Sequence, residues 1–371
     1  MPAMTTETGA QPWPGKVGPP TDGPLTFEEL QLAGRNRGMP LEALRYDITP
    51  TGLHYLLVHF DIPAVDPATW RLRIDGLVER PLELSLADLR ARPRTTLPVT
   101  LECAGNGRAR LRPRPLSNPW LQEAIGTAEW GGTSLAPILE EAGLRPAATE
   151  LVFTGADRGV QGGEEQDYQR SLAIAEAMRP EILLVDEMNG LPLQPQHGAP
   201  VRLLVPGWYG MASVKWLERI EAIDHAFDGY QQVRTYRFRK DSEDPGDAVQ
   251  QIRARALMAP PGIPDFFTRR RLLDAGTVRV QGRAWGGTGP IRRVEVGVDG
   301  EWADATLEAP LGDWAWRGWS FDWRATPGEH EVSCRATDAA GEVQPLEMPW
   351  NYQGMGNNGV QTVRVTVRGV R

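Results

Sequence analysis

TLECAGNGR, Thr100 to Arg108, carries one of the chain's two cysteines where a strand pattern gives way to a glycine-punctuated turn. In the preceding TLPVTLEC, the alternation puts Leu97, Val99, Leu101 and Cys103 on one face of a strand. Gly105 and Gly107 then let the backbone bend and approach a ligand closely. Cys103 therefore ends a buried face at the mouth of a turn. Local chemistry leaves three roles open for it. These are a small buried hydrophobe, a thiolate nucleophile activated by Arg108, and a soft ligand to a transition metal.

Outward from this turn the first part of the chain mixes element types. Tyr55–Phe60, Trp70–Gly76, Thr96–Cys103, Glu150–Gly155, Glu181–Glu187 and Ala199–Pro206 read as strands. Ser134–Leu144 and Ser171–Met178 have helical spacing, each with a serine placed as N-cap. No regular βαβα alternation appears, so the pattern points to α+β rather than a doubly wound sheet. RKDSEDPGD, Arg239–Asp247, reads as a linker. Beyond about Ala259 come only short strand patterns such as GTVRVQGRAW and IRRVEVGVDG, which predict an immunoglobulin-like β-sandwich. The expected organisation is a flexible arm over residues 1–40, a first domain over 41–245 and the sandwich over 250–371. Seven of the 13 tryptophans lie between Trp285 and Trp350, read first as core packing and second as an aromatic contact surface.

Composition narrows the function. A net charge of −8 argues against nucleic-acid binding. No apolar run is long enough to span a membrane, and the N-terminus lacks the pattern of a secretory leader. Two cysteines make no disulfide framework, so a cytoplasmic location is expected, and no bridge between Cys103 and Cys334. Other enzyme motifs fail. G-x-G-x-x-G breaks at Arg110 and again at Arg292, and no P-loop, G-x-S-x-G or H-E-x-x-H occurs. His54 and His59 are an odd spacing apart, so on one strand they would face opposite sides.

LECAGNGR resembles the cysteine signature of the sulfite oxidase family of molybdopterin-dependent oxidoreductases. Further segments resemble the same family in order: AVDPATWRLRIDGLV, AIGTAEWGG, VFTGAD, the long run Asp186–Leu217 with HGAPVR and SVKWL, and VQPLEMPWNYQGMGNNGVQTVRVTV near the C-terminus. The resemblance implies a molybdopterin-binding domain followed by a dimerisation domain, with Cys103 as the molybdenum ligand. It implies oxygen-atom transfer as the chemistry. It also carries His59, Asp157, Ser171, His197, Arg202, Ser213 and Lys215 into the cofactor pocket, with Arg202 and Lys215 toward the phosphate. Thiolate and cation chemistry fit such a group. Without C-x-x-C-H no heme is expected, so electrons would pass to a separate carrier, and a homodimer is implied.

Departures from the family pattern bear on substrate. Arg108 and Trp120 match its substrate-side arginine and tryptophan. Leu57 and Val58 fall where an arginine and an asparagine belong, Asp186 where a tyrosine belongs, and Gln353 where a third arginine belongs. Each lost charge-assisted contact is worth about 1.5–3 kcal/mol, so a dianion such as sulfite would bind poorly. Arg35, Arg37, Arg110, Arg112 or Arg114 could restore the charge by folding inward. The substrate expectations are thus weakened sulfite oxidation, or reduction of an oxyanion, sulfoxide or N-oxide on the same centre. A non-catalytic cofactor-binding scaffold is the alternative outside enzymes.

Overall fold

A computed structural model describes residues 18–369. The first domain holds two sheets. One runs in the order Leu82–Ser85, Arg71–Gly76, Leu217–Ile223, Glu150–Gln161, Glu164–Ala173. Its one parallel pair joins Arg71–Gly76 to Leu217–Ile223, and the rest are antiparallel. Leu72 and Ile74 point inward while Arg71 and Arg73 stay in solvent, as period-two alternation requires. The buried face packs against Ile138 and Leu139 of the helix Ala136–Ala142, and Trp70 donates its indole N–H to the Leu217 carbonyl at 3.0 Å. The second sheet runs Thr95–Glu102, Ile125–Ser134, Leu183–Met188, with Arg202–Leu204 and the short Leu191–Pro192 both on Leu183–Met188. Val99, Leu101 and Cys103 share its buried face, as the alternation predicts.

The second domain is a two-sheet sandwich. Arg255–Ala259, Gly276–Trp285, Arg317–Ala325 and Thr306–Leu307 form one sheet. The other has six strands, centred on Gln361–Arg368, Gly328–Thr337 and Arg293–Val298. Met258, Val280, Trp319 and Trp323 of one sheet meet Val296, Val332, Cys334 and Val365 of the other. Trp285, Trp316, Trp319 and Trp323 are buried, so four of the seven tryptophans are core, whereas Trp350 is exposed. Cys103 and Cys334 are both free thiols. An α+β domain followed by a β-sandwich is the architecture the sequence predicts.

Several local expectations fail. Residues 1–17 of the expected arm lie outside the described residues, but Phe27–Arg35 is a helix with a full capping box between Thr26 and Glu29. Glu29 is also buried against Arg114, at 3.0 Å, which anchors this segment to the first domain. Tyr55–Phe60 is not a strand; it makes one isolated bridge, Leu56 to Arg37. Neither serine caps a helix. Ser134 donates to the Pro180 carbonyl, and Ser171 lies inside the strand Glu164–Ala173. RKDSEDPGD is the loop of a short hairpin pairing Arg237–Phe238 with Asp247–Ala248.

The two domains share a core. Met39, Leu44, Ala104, Ile125 and Tyr209 pack with Val249, Ile252, Leu257, Trp285, Trp316 and Met355. Thr100, on the cysteine strand, accepts from the Trp316 amide at 2.7 Å and donates its own amide to the Trp314 carbonyl at 2.9 Å. The cysteine turn is thus held between the domains.

Candidate active site

Cys103 is fixed by its backbone before its side chain does anything. Its amide donates to the Ala124 carbonyl at 2.9 Å, and its carbonyl accepts from the Asn106 amide at 2.9 Å. The turn needs its glycines. Gly107 sits at φ 96°, and a Cβ on Gly105 would come within 2.5 Å of the Arg108 guanidinium. A loop of the sandwich domain closes the other side, with the Gly356 amide on the Ala104 carbonyl at 2.7 Å. Burial raises the thiol's pKa, and the Arg108 charge opposes that rise.

Two cavities meet at Cys103, and Leu57, His59 and Tyr236 line both. The first is lined also by His54, Asp157, His197, Arg202, Ser213 and Lys215. Its polar groups are incompletely paired. Arg202 gives its two terminal nitrogens to the His197 and Ser213 carbonyls, at 3.2 and 2.9 Å, but its Nε has no partner among the described residues. Asp157 Oδ1 and His54 Nε2 are likewise buried and find no hydrogen-bond partner among the described residues. Lys215 donates to the Leu57 carbonyl at 2.8 Å and the Gln196 carbonyl at 3.2 Å, and its ammonium lies 4.1 Å from the Trp216 ring centre. Burial lowers the Lys215 pKa, reinforced by Arg202, and raises that of Asp157.

Buried donors, imidazoles and a carboxyl facing one hollow fit a polar, phosphorylated heterocycle. An added phosphate would favour the charged ammonium that burial now disfavours. Among the described residues no group of three or more His, Cys, Asp and Glu could hold a bare metal ion. A metal at Cys103 must therefore bring most of its own ligands, as a dithiolene cofactor does. The residues present fit molybdopterin.

On the other side of Cys103 lies the second cavity. Arg108, Trp120, Asn118, Gln161, Tyr352, Gln353 and Met355 are among its walls. Arg108 is buried, and all three of its nitrogens already meet the protein. Nε donates to the Gln353 carbonyl at 3.1 Å, Nη1 to the Asn118 carbonyl at 3.3 Å, and Nη2 to the Met355 sulfur at 3.4 Å. Tyr236 sits under the Arg170 guanidinium, 5.5 Å from the ring centre. Burial, then the nearby Cys103, pushes its phenol up to about 12.

Residues 59–231 match the oxidoreductase molybdopterin binding domain, and residues 249–368 match the Mo-co oxidoreductase dimerisation domain. Mitochondrial sulfite oxidase of Mus musculus is 34% identical over 374 residues, covering 94% of this chain and 68% of that protein. The chain belongs to the sulfite oxidase family. Nitrate reductase [NADH] 1 of Oryza sativa subsp. japonica is 30% identical over 374 residues, 91% of this chain and 41% of its own length. Among solved structures, the sulfane dehydrogenase SoxCD from Paracoccus pantotrophus superposes with a TM-score of 0.78 at 27% identity, over 98% of both chains. The chain is therefore a molybdopterin-dependent oxidoreductase, and its second domain is of the dimerising kind.

For a sulfite oxidase relative, the structure sorts the sequence-derived residues plainly. His59, Asp157, His197, Arg202, Ser213 and Lys215 converge on the first cavity, and Arg108 and Trp120 on the second. Ser171 is not among the residues lining either cavity; it is buried in its strand opposite Val152. Asp186 does not reach the substrate side. It is buried between Arg90 at 2.7 Å and Arg94 at 2.6 Å, in two structural salt bridges. None of the five compensating arginines lines either cavity. Arg35 pairs with Asp61, Arg37 with the Gly52 carbonyl, Arg112 with the Ala109 and Leu111 carbonyls, and Arg114 with Glu29. Arg110 lines a separate groove with Arg269 and Arg270. Sequence reasoning missed His54, Tyr168 and Tyr236. Period-two alternation separates His54 from His59 only on a strand, and no strand exists there. Tyr236 lies between the two matched family domains and outside the quoted motifs, in a Tyr/Arg-rich stretch that offers no signal of its own.

Proposed function

We propose that this enzyme, with a molybdopterin cofactor ligated through Cys103, oxidises a sulfur centre of lower negative charge than sulfite. One observation carries the reading: Arg108 is the only arginine or lysine lining the Cys103 cavity on the substrate side, among the described residues, and three of its five N–H groups are taken by Gln353, Asn118 and Met355, which leaves one on each terminal nitrogen for substrate. A small dianion needs several free charge-assisted donors. A neutral or singly charged sulfur, with the soft Met355 thioether in the wall, needs fewer. The likeness to a protein described as a sulfane dehydrogenase supports the same class. The cofactor supplies two-electron redox chemistry with oxygen drawn from water. For each oxygen added to the sulfur, one water is consumed and two electrons and two protons leave, the electrons to a separate carrier.

The chain's own residues do the rest. Trp120 and Leu57 restrict the cavity, Arg108 orients one polar end of the substrate, and Tyr236 holds a proton at its phenol oxygen beside the cysteine. A second reading, reduction of a monoanionic oxo-acceptor, draws on the likeness to nitrate reductases. A substrate panel run in both directions on cofactor-loaded full chain decides. Expected are turnover of a persulfide with an artificial acceptor and a sulfite Michaelis constant in the millimolar range. A micromolar constant for sulfite without persulfide turnover would overturn the reading. Nitrate reduction with a reduced dye would favour the second. Cys103→Ser should remove one sulfur from the molybdenum shell in X-ray absorption and abolish turnover.

A further inference from the structure

The residue before the cysteine is buried, charged and spoken for by the other domain. Glu102 ends the cysteine strand with its carboxylate sealed from solvent. Its Oε1 accepts from Arg255 Nη1 at 2.7 Å and from Asn106 Nδ2 at 2.9 Å, and its Oε2 accepts from the Trp285 indole at 2.8 Å. Arg255 is fully buried and gives a second bond to the Asn357 carbonyl at 3.1 Å. Arg255 and Trp285 face each other across adjacent strands of the sandwich, so they form one rigid fork. Asn106 passes the constraint on. It also donates to the Gln122 carbonyl at 3.1 Å and accepts from the Ala124 amide at 3.1 Å, the residue whose carbonyl holds the Cys103 amide.

We propose that Arg255 and Trp285 are positioning residues for the active site: the sandwich domain grips Glu102 and through it fixes the direction of the Cys103 sulfur. A buried ion pair seldom adds net stability over an apolar isostere, so its presence beside the functional cysteine calls for another reason. Geometric definition supplies one, because a sulfur displaced by about 1 Å loses the geometry that reactive centres require. None of these side chains lines either cavity, so their influence passes through the backbone. The inference rests on Cys103 being the metal ligand, and the Cys103→Ser absorption measurement tests that separately.

The test uses the full chain with Arg255→Met, Trp285→Phe and the double variant Glu102→Gln/Arg255→Met. In cofactor-free protein, hydrogen exchange of the peptide spanning residues 100–110 should quicken at least tenfold in Arg255→Met, with the distant strands of both domains unchanged. In loaded protein at equal molybdenum content, the cysteine-to-metal absorption band should shift, and kcat should fall tenfold or more with KM within threefold. The double variant leaves no uncompensated charge but still lacks the grip, so its kcat should stay at least fivefold down; full recovery would assign the loss to the unpaired buried charge and overturn the proposal. Wild-type exchange, band and kcat in Arg255→Met would overturn the proposal. Should that variant fail to fold, Trp285→Phe removes one neutral donor and decides alone. A three- to tenfold loss in kcat with the same band shift supports the proposal, and an unchanged band and kcat refute it.

Discussion

His54 and His197 face each other in the first cavity, ring centroids 5.8 Å apart and planes nearly perpendicular. Burial holds both rings neutral, lowering His54 to about 4 and His197 to about 3, the latter helped by His54 and Arg202. The sign of the linkage follows. Between the ordinary histidine value near 6.5 and these depressed values, the unfolded chain binds protons that the native chain refuses. Stability is therefore lost as pH falls below about 6.5, at about 1.4 kcal/mol per pH unit for each ring. In cofactor-free full chain, urea unfolding at pH 7 and pH 5 should show a loss smaller by about 2 kcal/mol in His54→Gln than in wild type. Equal losses would mean that His54 is not held neutral. Asp186 makes a different prediction at this scale. Because it sits between Arg90 and Arg94 rather than beside substrate, Asp186→Asn should cost on the order of 1–3 kcal/mol of stability and leave the substrate KM unchanged.

The loop around Gln353 in the stretch WNYQGMGNNG shows what an element contributes that single residues do not. Its Gln353 carbonyl and Met355 sulfur hold Arg108, while the Gln353 side chain accepts from the Arg237 amide at 3.0 Å and donates to the Arg234 carbonyl at 2.8 Å. Gln353→Arg places a second guanidinium in the cavity wall. The sulfite KM should fall at least tenfold, read in a steady-state dye-linked assay, while persulfide turnover declines. No change in KM would show that cation count is not what limits sulfite. Elements also explain what could be read in advance. The alternation of Val99, Leu101 and Cys103 is a local property of one strand, and it survived folding. The cavity draws on segments near residues 54–59, 103, 157, 168, 196–215 and 236, and no local pattern joins such segments. The motif resemblance collected most of them. It missed Tyr236, which occupies positive φ in an irregular stretch, and it misplaced Asp186, whose strand turns it toward Arg90 and Arg94. His54 and His59 both line the first cavity because tertiary contacts hold their segment open rather than pair it as a strand, so period-two alternation does not govern it.

At the scale of the whole molecule, the domain boundary visible in composition is not an energetic boundary. Trp316 of the sandwich is fully buried against the first domain, its indole donating to the Asp47 carbonyl at 2.7 Å and its amide to Thr100 Oγ1 at 2.7 Å. Arg283 lies 6.0 Å from its ring centre and donates through Nε to the Leu44 carbonyl at 2.9 Å. With the Glu102–Arg255 pair, these contacts cross a shared apolar core, so opening one domain exposes surface of the other. The full chain should melt in a single calorimetric transition, with tryptophan fluorescence and release of bound molybdenum following the same curve. Trp316→Ala removes a large buried side chain and should cost about 3–5 kcal/mol. That loss should move both probes together, because the cavity it leaves lies in the common core. If the sandwich instead melted first while molybdenum stayed bound, the domains would be independent folding units, and the coupling between the sandwich and the cysteine turn would lose its structural basis.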